Sequence, residues 1–308
     1  VTAKKTEVEV LIIGGGPAGL SALLWSIDLG QTAILLDNNE EFGGQLLRTF
    51  NPVNNYLGLQ AAEATKLRDI FVSQVIERGG KLFSGVRIAQ THLREKEVIC
   101  EDGTGYKGRA VIIATGVRRR RLGIPGEVLF AGRGVLDSGV RSRNELTGQS
   151  VLVVGGGDAA IENALILSEK AKKVTVVHRR QSFTARREFL EKAERTNNIE
   201  FLTNMHLNSI IGSDRVEAVE LIDHVSDQTS RLAVDSVLIR IGTDPNSELF
   251  RGQIKLDDAG YIVTGSDTAT SVEGVFAVGD VTAPVAPTIS TAVGHGAVAA
   301  RAAADFLS

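Results

Sequence analysis

Two glycine clusters, each trailed at the same distance by an ionisable side chain, carry the chemistry that is readable in this sequence. The first is Gly14-Gly15-Gly16-Pro17-Ala18-Gly19, with Asp37 beyond it. The second is Gly155-Gly156-Gly157-Asp158-Ala159-Ala160, with His178, Arg179 and Arg180 beyond it. One offset of 141 positions carries Gly14 onto Gly155 and Asp37 onto His178. The first glycine of such a cluster makes a tight turn, and the second lets the backbone approach a pyrophosphate. A small third residue, Gly19 or Ala160, lets the helix pack close to the strand. The N–H groups at the helix start then face phosphate oxygens. Pro17 suits that first turn, where a missing N–H costs nothing. A carboxylate at position 37 accepts from ribose hydroxyls and repels a 2′-phosphate. Two guanidinium groups at 179 and 180 suit a 2′-phosphate. A solvated basic face is the other reading of the arginine pair.

These clusters need a strand before them, a helix after them and a second strand to end on Asp37 or His178. The sequence supplies each part. Residues 8–13 and 151–154 are apolar runs, 20–25 and 161–167 are apolar helical stretches, and 32–37 and 173–178 close the units. This is the pattern of two βαβ dinucleotide-binding units. It predicts an α/β fold with two Rossmann-like domains, which suits a chain of 308 residues. The second site then takes NADPH, with NADH as a weaker alternative. The first takes an adenosine ribose without the extra phosphate, for which FAD is the natural candidate.

With these motifs the sequence resembles the low-molecular-weight thioredoxin reductase family of flavoproteins over nearly its whole length. Further marks are Gly43-Gly44-Gln45-Leu46, Ala114-Thr115-Gly116, Ile241-Gly242-Thr243-Asp244-Pro245-Asn246 and Val278-Gly279-Asp280. The resemblance implies a split FAD domain, residues 1–118 and 245–308, with an NAD(P)H domain, 119–244, inserted. The segments 118–125 and 242–245 would connect them, and a homodimer is implied. It assigns Gly14, Gly16, Pro17, Ala18, Gly19, Asp37, Gly44, Gln45, Asn55, Ala114, Thr115, Gly116, Gly279 and Asp280 to FAD. It assigns Gly155, Gly157, Asp158, Ala159, Ala160, His178, Arg179 and Arg180 to NADPH. Asn55, Tyr56 and His295 are expected near the flavin. Tyr56 either stacks on the ring or packs within its loop, and His295 either tunes the flavin or packs between glycines.

The sequence departs from the family at two places. The family carries a Cys-x-x-Cys pair before the second glycine cluster, and by spacing Ser138 and Arg141 stand there. The sequence has one cysteine, Cys100, read as structural. Without a dithiol, electrons cannot pass to thioredoxin by disulfide exchange. The family also has an arginine six residues after the histidine, where this chain has Thr184, with Arg186 and Arg187 close by. The expected activity is therefore an NAD(P)H-dependent FAD oxidoreductase, with the cofactors carrying the chemistry and no catalytic side chain. Ferredoxin or flavodoxin is the leading acceptor. Small acceptors, oxygen or a redox-sensing role are the alternatives. Ferredoxin reductases of this type carry a C-terminal extension over the flavin. This sequence closes with its last helix, residues 302–308, so an open flavin face is expected. The run Arg118-Arg119-Arg120-Arg121 is open to three readings: docking of an acidic carrier, contact with NADPH phosphates, or a solvated hinge.

Composition bounds the rest. With 34 basic and 37 acidic residues the net charge is −3, which gives no case for nucleic acid. The uncharged stretches 10–27 and 281–300 are read as buried segments, not membrane spans. His92, His206 and His224 have no metal-ligand spacing. The single cysteine and the start at Val1, with no signal-peptide pattern, fit a cytoplasmic protein.

Overall fold

Strands that read as unbroken Val, Ile and Leu cannot lie half in water, so they become central strands covered on both faces. The computed structural model describes residues 5–50, 52–59 and 63–308. The chain forms two compact units, Val1–Arg118 with Asp244–Ser308, and Arg119–Thr243.

The first unit begins with β1 (Lys5–Ile13), α1 (Pro17–Asp28) and β2 (Ala33–Leu36). It continues through α2 (Ala64–Glu77), β3 (Lys81–Phe83), β4 (Ile88–His92), β5 (Glu97–Cys100) and β6 (Gly105–Ile113), and leaves by β7 (Val117–Arg119). The sheet order is β3-β2-β1-β6-β5-β4. Its centre is parallel, and β5 and β4 extend it antiparallel at one edge. Alternate residues of β1 serve opposite cores, as a period of two requires. Val10 and Ile12 pack with Leu20 and Leu23 of α1, and Leu11 and Ile13 pack with Phe250 and Val275.

The second unit holds β8 (Val135–Leu136), α3 (Gly139–Ser142), β9 (Ser150–Val154), α4 (Asp158–Ser168), β10 (Lys173–His178) and α5 (Arg187–Glu194). It goes on through β11 (Ile199–Thr203), β12 (Met205–Gly212), β13 (Val216–Asp223), β14 (Thr229–Ala233) and β15 (Ser236–Ile239). Five strands, β11-β10-β9-β15-β8, form a parallel sheet. Helices α4 and α5 cover one face through Ile161, Leu167 and Ala193. The other face is covered by the antiparallel sheet β12-β13-β14, through Leu207, Ile210 and Val219. Crossover helices thus occupy only one side of this sheet.

The chain returns by β16 (Thr243–Pro245), which pairs with β7. It then adds β17 (Val275–Ala277) beside β6 and ends in α6 (Ile289–Leu307). Helix α6 lies against α1. The Ser21 hydroxyl donates to the Val293 carbonyl at 2.7 Å. A Cβ on Gly296 would stand 2.3 Å from the Ala18 carbonyl oxygen. The expectation that residues 281–300 are buried throughout is corrected here. Val281 is buried, but the loop that follows is open and Val285 is fully exposed. The loop carries Thr, Ser and Pro, whose polar groups and fixed turns suit a solvated path.

Candidate functional site

Each unit builds a crevice where the strand order reverses, at the carboxyl ends of its two central strands. In the first unit Gly14 follows β1 and Ala114 follows β6. A Cβ on Gly14 would lie 2.3 Å from the Ala114 carbonyl oxygen, and Gly14 has φ +109°. A side chain there is excluded twice, by space and by conformation. A Cβ on Gly19 would lie 1.8 Å from the Gly14 carbonyl oxygen, so α1 approaches β1 as only glycine allows. Gly16 caps α1 without a side-chain bond and Pro17 opens the helix. The first-turn N–H groups thus face the crevice with no protein cap.

Asp37 is buried at the end of this unit and pins the turn. Its Oδ2 accepts from the Gly15 N–H at 2.5 Å, and its Oδ1 accepts from the Asn39 N–H and side-chain amide at 2.7 and 2.8 Å. The Gly43 N–H donates to the Gly15 carbonyl at 2.8 Å, and Gly44 sits in the left-handed region against Gly16. Gln45 donates from Nε2 to the Val117 carbonyl at 2.6 Å. Thr115 Oγ1 donates to the Asn246 carbonyl at 2.7 Å and Asn246 Nδ2 returns a bond to the Thr115 carbonyl at 2.8 Å. Ala114-Thr115-Gly116 is therefore a clasp on the returning chain. Gly279 has φ +73° and backs onto Ala18. The Asp280 carboxyl accepts no hydrogen bond among the described residues, and burial raises its pKa.

The three residues expected near a flavin are spread over two elements. Asn55 is exposed. Tyr56 packs edge-on to Phe71 of α2 at 5.7 Å, beside Leu46, Val53 and Leu67. His295 lies half-buried within α6.

In the second unit a cavity of about 440 Å³ opens along Gly155–Ala159 and His178–Arg180. A Cβ on Gly155 would meet the Arg240 carbonyl oxygen at 2.0 Å, and one on Gly156 would strike the His178 imidazole at 2.3 Å. Gly157 caps α4, and Ala160 packs at its first turn, fully buried. The His178 ring stacks on Phe183 at 5.1 Å. Its Nε2 is buried with no partner, and burial is the main cause that lowers its pKa, with Arg180 and Arg179 adding to it against a bond to Ser182. Arg179 and Arg180 are exposed. Thr184 donates from its N–H to the Gly156 carbonyl at 2.8 Å. Arg186 is held by Asp158, with 2.7 Å to its N–H and 2.9 Å to its Nε, and Arg187 pairs with Glu191. Neither stands as an uncommitted replacement for the arginine absent at 184. Arg120, of the arginine run, lines this cavity, and so do Met205, His206, Leu207 and Arg240, which the sequence reading did not place there. Only the topology, which brings β12 and the end of β15 beside the glycine turn, reveals them.

The arginine run is largely committed to its own chain. Arg118 donates to the Pro245 carbonyl at 3.1 Å and Asn246 Oδ1 at 2.9 Å, and pairs with Glu248. Arg119 donates to the Asp137 carbonyl and Arg120 to the Thr243 carbonyl at 3.0 Å. Cys100 is buried on β5, and desolvation, then Asp102, raises its thiol pKa. Ser138 is buried and caps α3, accepting from the Arg141 N–H at 3.4 Å. No cluster of three potential metal ligands occurs among the described residues. No described helix is long and apolar enough to cross a membrane.

The family pattern described as pyridine nucleotide-disulphide oxidoreductase matches residues 8–296. The thioredoxin reductase of Mycolicibacterium smegmatis is 38% identical over 311 aligned positions, covering 100% of this chain and 99% of the relative. The thioredoxin reductase of Rickettsia conorii is 37% identical, covering 99% of each. Among solved structures, Lactococcus lactis thioredoxin reductase superimposes with a TM-score of 0.86 at 31% identity, over 97% of this chain and 99% of that one. The buried acid beneath the first glycine turn and the cationic edge of the second fit FAD and NADPH, the cofactors of such enzymes. The chain, with one dinucleotide crevice in each unit, belongs to the pyridine nucleotide-disulphide oxidoreductase family as an NADPH-dependent flavoprotein of thioredoxin reductase type.

Proposed function

We propose that this protein is an NADPH-dependent FAD oxidoreductase that delivers electrons to an external acceptor without a redox dithiol of its own. The observation that carries this reading is the pair Ser138 and Arg141 at the spacing of the family's two cysteines, with Cys100 as the only cysteine of the sequence. Ser138 has no thiolate to offer and caps a helix instead. The buried, raised-pKa Cys100 is a poor nucleophile.

When bound, FAD accepts hydride from NADPH and passes the electrons on. The chain supplies binding and orientation. Gly14, Gly16, Pro17, Ala18 and Gly19 hold the FAD pyrophosphate at the start of α1, under Gly44 and Gln45. Asp37 holds the turn and faces the adenosine ribose. Ala114, Thr115 and Gly116 form the opposite wall, and Gly279 with Asp280 contacts the ribityl chain. Asn55, Tyr56 and His295 are the flavin-side candidates. For NADPH, Gly155, Gly157, Asp158, Ala159 and Ala160 take the pyrophosphate, and His178, Arg179 and Arg180 take the 2′-phosphate.

Ferredoxin or flavodoxin is the leading acceptor, since a dithiol-free flavin still releases electrons singly to such carriers. Direct reduction of small acceptors is the second reading. It is favoured by the ties of Arg118, Arg119 and Arg120 to backbone carbonyls and Glu248, which leave less of the run to dock an acidic carrier. A homodimer and a cytoplasmic setting belong to the same proposal. The test is anaerobic stopped-flow absorbance of the FAD-loaded protein mixed with NADPH, then with ferredoxin, flavodoxin, a quinone or thioredoxin. Fast bleaching followed by reoxidation with a carrier or quinone, and none with oxidised thioredoxin, supports the proposal. Turnover of thioredoxin disulfide overturns it.

A further inference from the structure

The two crevices share a wall position that the sequence repeat does not reveal. Ala114 follows β6 and its carbonyl oxygen stands 2.3 Å from where a Cβ of Gly14 would be. Arg240 follows β15 and its carbonyl oxygen stands 2.0 Å from where a Cβ of Gly155 would be. The same backbone contact thus carries a methyl group in one unit and a guanidinium in the other.

That guanidinium lines the second cavity and is partly buried. Its Nη2 donates to the Asp137 carbonyl at 2.7 Å and its Nη1 to the Ile239 carbonyl at 2.8 Å. Asp137 follows β8, so Arg240 is drawn toward β8 and away from β10. The sheet order β11-β10-β9-β15-β8 puts His178, Arg179 and Arg180 on one side of the glycine turn and Arg240 on the other. A dinucleotide that crosses the turn with its 2′-phosphate at Arg179 and Arg180 brings its nicotinamide to the Arg240 side.

We propose that Arg240 discriminates between the two redox forms of the nicotinamide, favouring NADPH, whose ring is neutral, over NADP⁺ with its cationic ring. The inference rests on the reading of this cavity as the NADPH site. Its physical basis is like-charge repulsion in a partly desolvated place, where charges are screened less than in water. Arg119 donates to the same Asp137 carbonyl, and Arg120 lines the same cavity. Both add positive charge, and the Asp137 carboxylate opposes it. Burial, with Arg119 beside it, holds the Arg240 pKa down to about 10, so the group remains charged at neutral pH. The oxidised product is then expelled from the site while the reduced substrate is retained.

The experiment is equilibrium binding by calorimetry to the FAD-loaded protein, with three ligands: NADPH under anaerobic conditions after photoreduction of the flavin, NADP⁺, and 2′-phospho-ADP-ribose, which lacks nicotinamide. Variants Arg240→Gln and Arg240→Lys are compared with the parent chain. The parent is expected to hold NADPH more tightly than NADP⁺. Arg240→Gln tightens NADP⁺ alone and shrinks that ratio by roughly tenfold. Arg240→Lys keeps the ratio, and 2′-phospho-ADP-ribose binds all three proteins alike. Equal weakening of all three ligands in Arg240→Gln would make Arg240 a phosphate grip and overturn the proposal. An unchanged ratio with unchanged affinities also overturns it. If the parent chain binds none of the three, the reading of the cavity itself fails, which the 2′-phospho-ADP-ribose arm makes plain.

Discussion

At the scale of single residues, the ends of the two nucleotide units do different work. Asp37 spends part of its carboxylate on the Gly15 N–H at 2.5 Å, a charge-assisted bond that shapes the turn. Asp37→Asn removes the charge from that bond and leaves Gly15 facing an uncharged amide. A loss of about 1.5–3 kcal/mol is expected for a buried bond to a charged group, read as weaker FAD retention on gel filtration and a lower unfolding temperature. The exposed arginines after His178 are the ones proposed to grip the bound nucleotide. Replacing Arg179 and Arg180 together by Ala is expected to raise the NADPH Kd by roughly one to two orders of magnitude, two charge-assisted contacts being lost, while NADH binding stays within about twofold. Steady-state kinetics with both nucleotides measures this, and a parallel loss for NADH would remove the 2′-phosphate role. His178 itself is held neutral, chiefly by desolvation. Its folded pKa lies below the unfolded value, about 6.5, as does that of half-buried His206. The unfolded chain therefore binds more protons between the two values, and stability falls as pH drops below about 6.5 toward the folded pKa. Thermal unfolding followed from pH 8 to pH 5 is expected to show this decline, and His178→Asn to reduce it.

At the scale of elements, the packing of α6 on α1 is as demanding as the glycine turns. A Cβ on Gly296 would meet the Ala18 carbonyl oxygen at 2.3 Å and the Ser21 Cβ at 2.8 Å. Backbone cannot yield there as a side chain would, so Gly296→Ala forces the helices apart. The expected cost is about 1–3 kcal/mol of stability, with weakened FAD binding because Ala18 lies in the first turn of α1. Calorimetry and flavin content check both. Such contacts mark what sequence can and cannot tell. The βαβ units were legible because their glycines, apolar runs and terminal ionisable residues recur at fixed local spacing. The cover of β12-β13-β14 over the second sheet was not, since its apolar faces in Leu207 and Val219 look like any half-buried strands until the register is known. Arg240 was invisible as a site residue for the same reason. Only the parallel pairing of β15 with β9 brings it to Gly155. The loop after Val281 misled because a lack of charge reads as burial, while Thr, Ser and Pro suit solvent equally well. The contact of Tyr56 with Phe71 is a matter of side-chain packing that spacing does not encode.

At the scale of the whole molecule, the decisive quantity is how many electrons one chain can store. A flavin takes up two, and a thioredoxin reductase with a dithiol takes up two more in its disulfide, a separate two-electron couple. This chain has a single cysteine, buried on β5 in the core of the first unit, so no disulfide can form within it. Anaerobic titration of the FAD-loaded protein with dithionite is expected to end when the flavin is bleached, with no second phase and no thiol pair appearing to a thiol reagent. Cys100→Ser should leave that end point and the rate of reduction by NADPH unchanged. It should lower stability by about 1 kcal/mol, because a more polar hydroxyl replaces a thiol in the buried cluster that holds Leu93, Val98 and Tyr106. If reduction instead consumes twice the reductant per flavin, an electron store outside the flavin exists and the dithiol-free reading fails. If the end point holds but Cys100→Ser abolishes transfer to the acceptor, the thiol takes part in the outward path despite its burial. The two results separate storage from delivery, and only the pairing of a flavin-only end point with an indifferent Cys100 leaves the flavin itself as the direct electron donor.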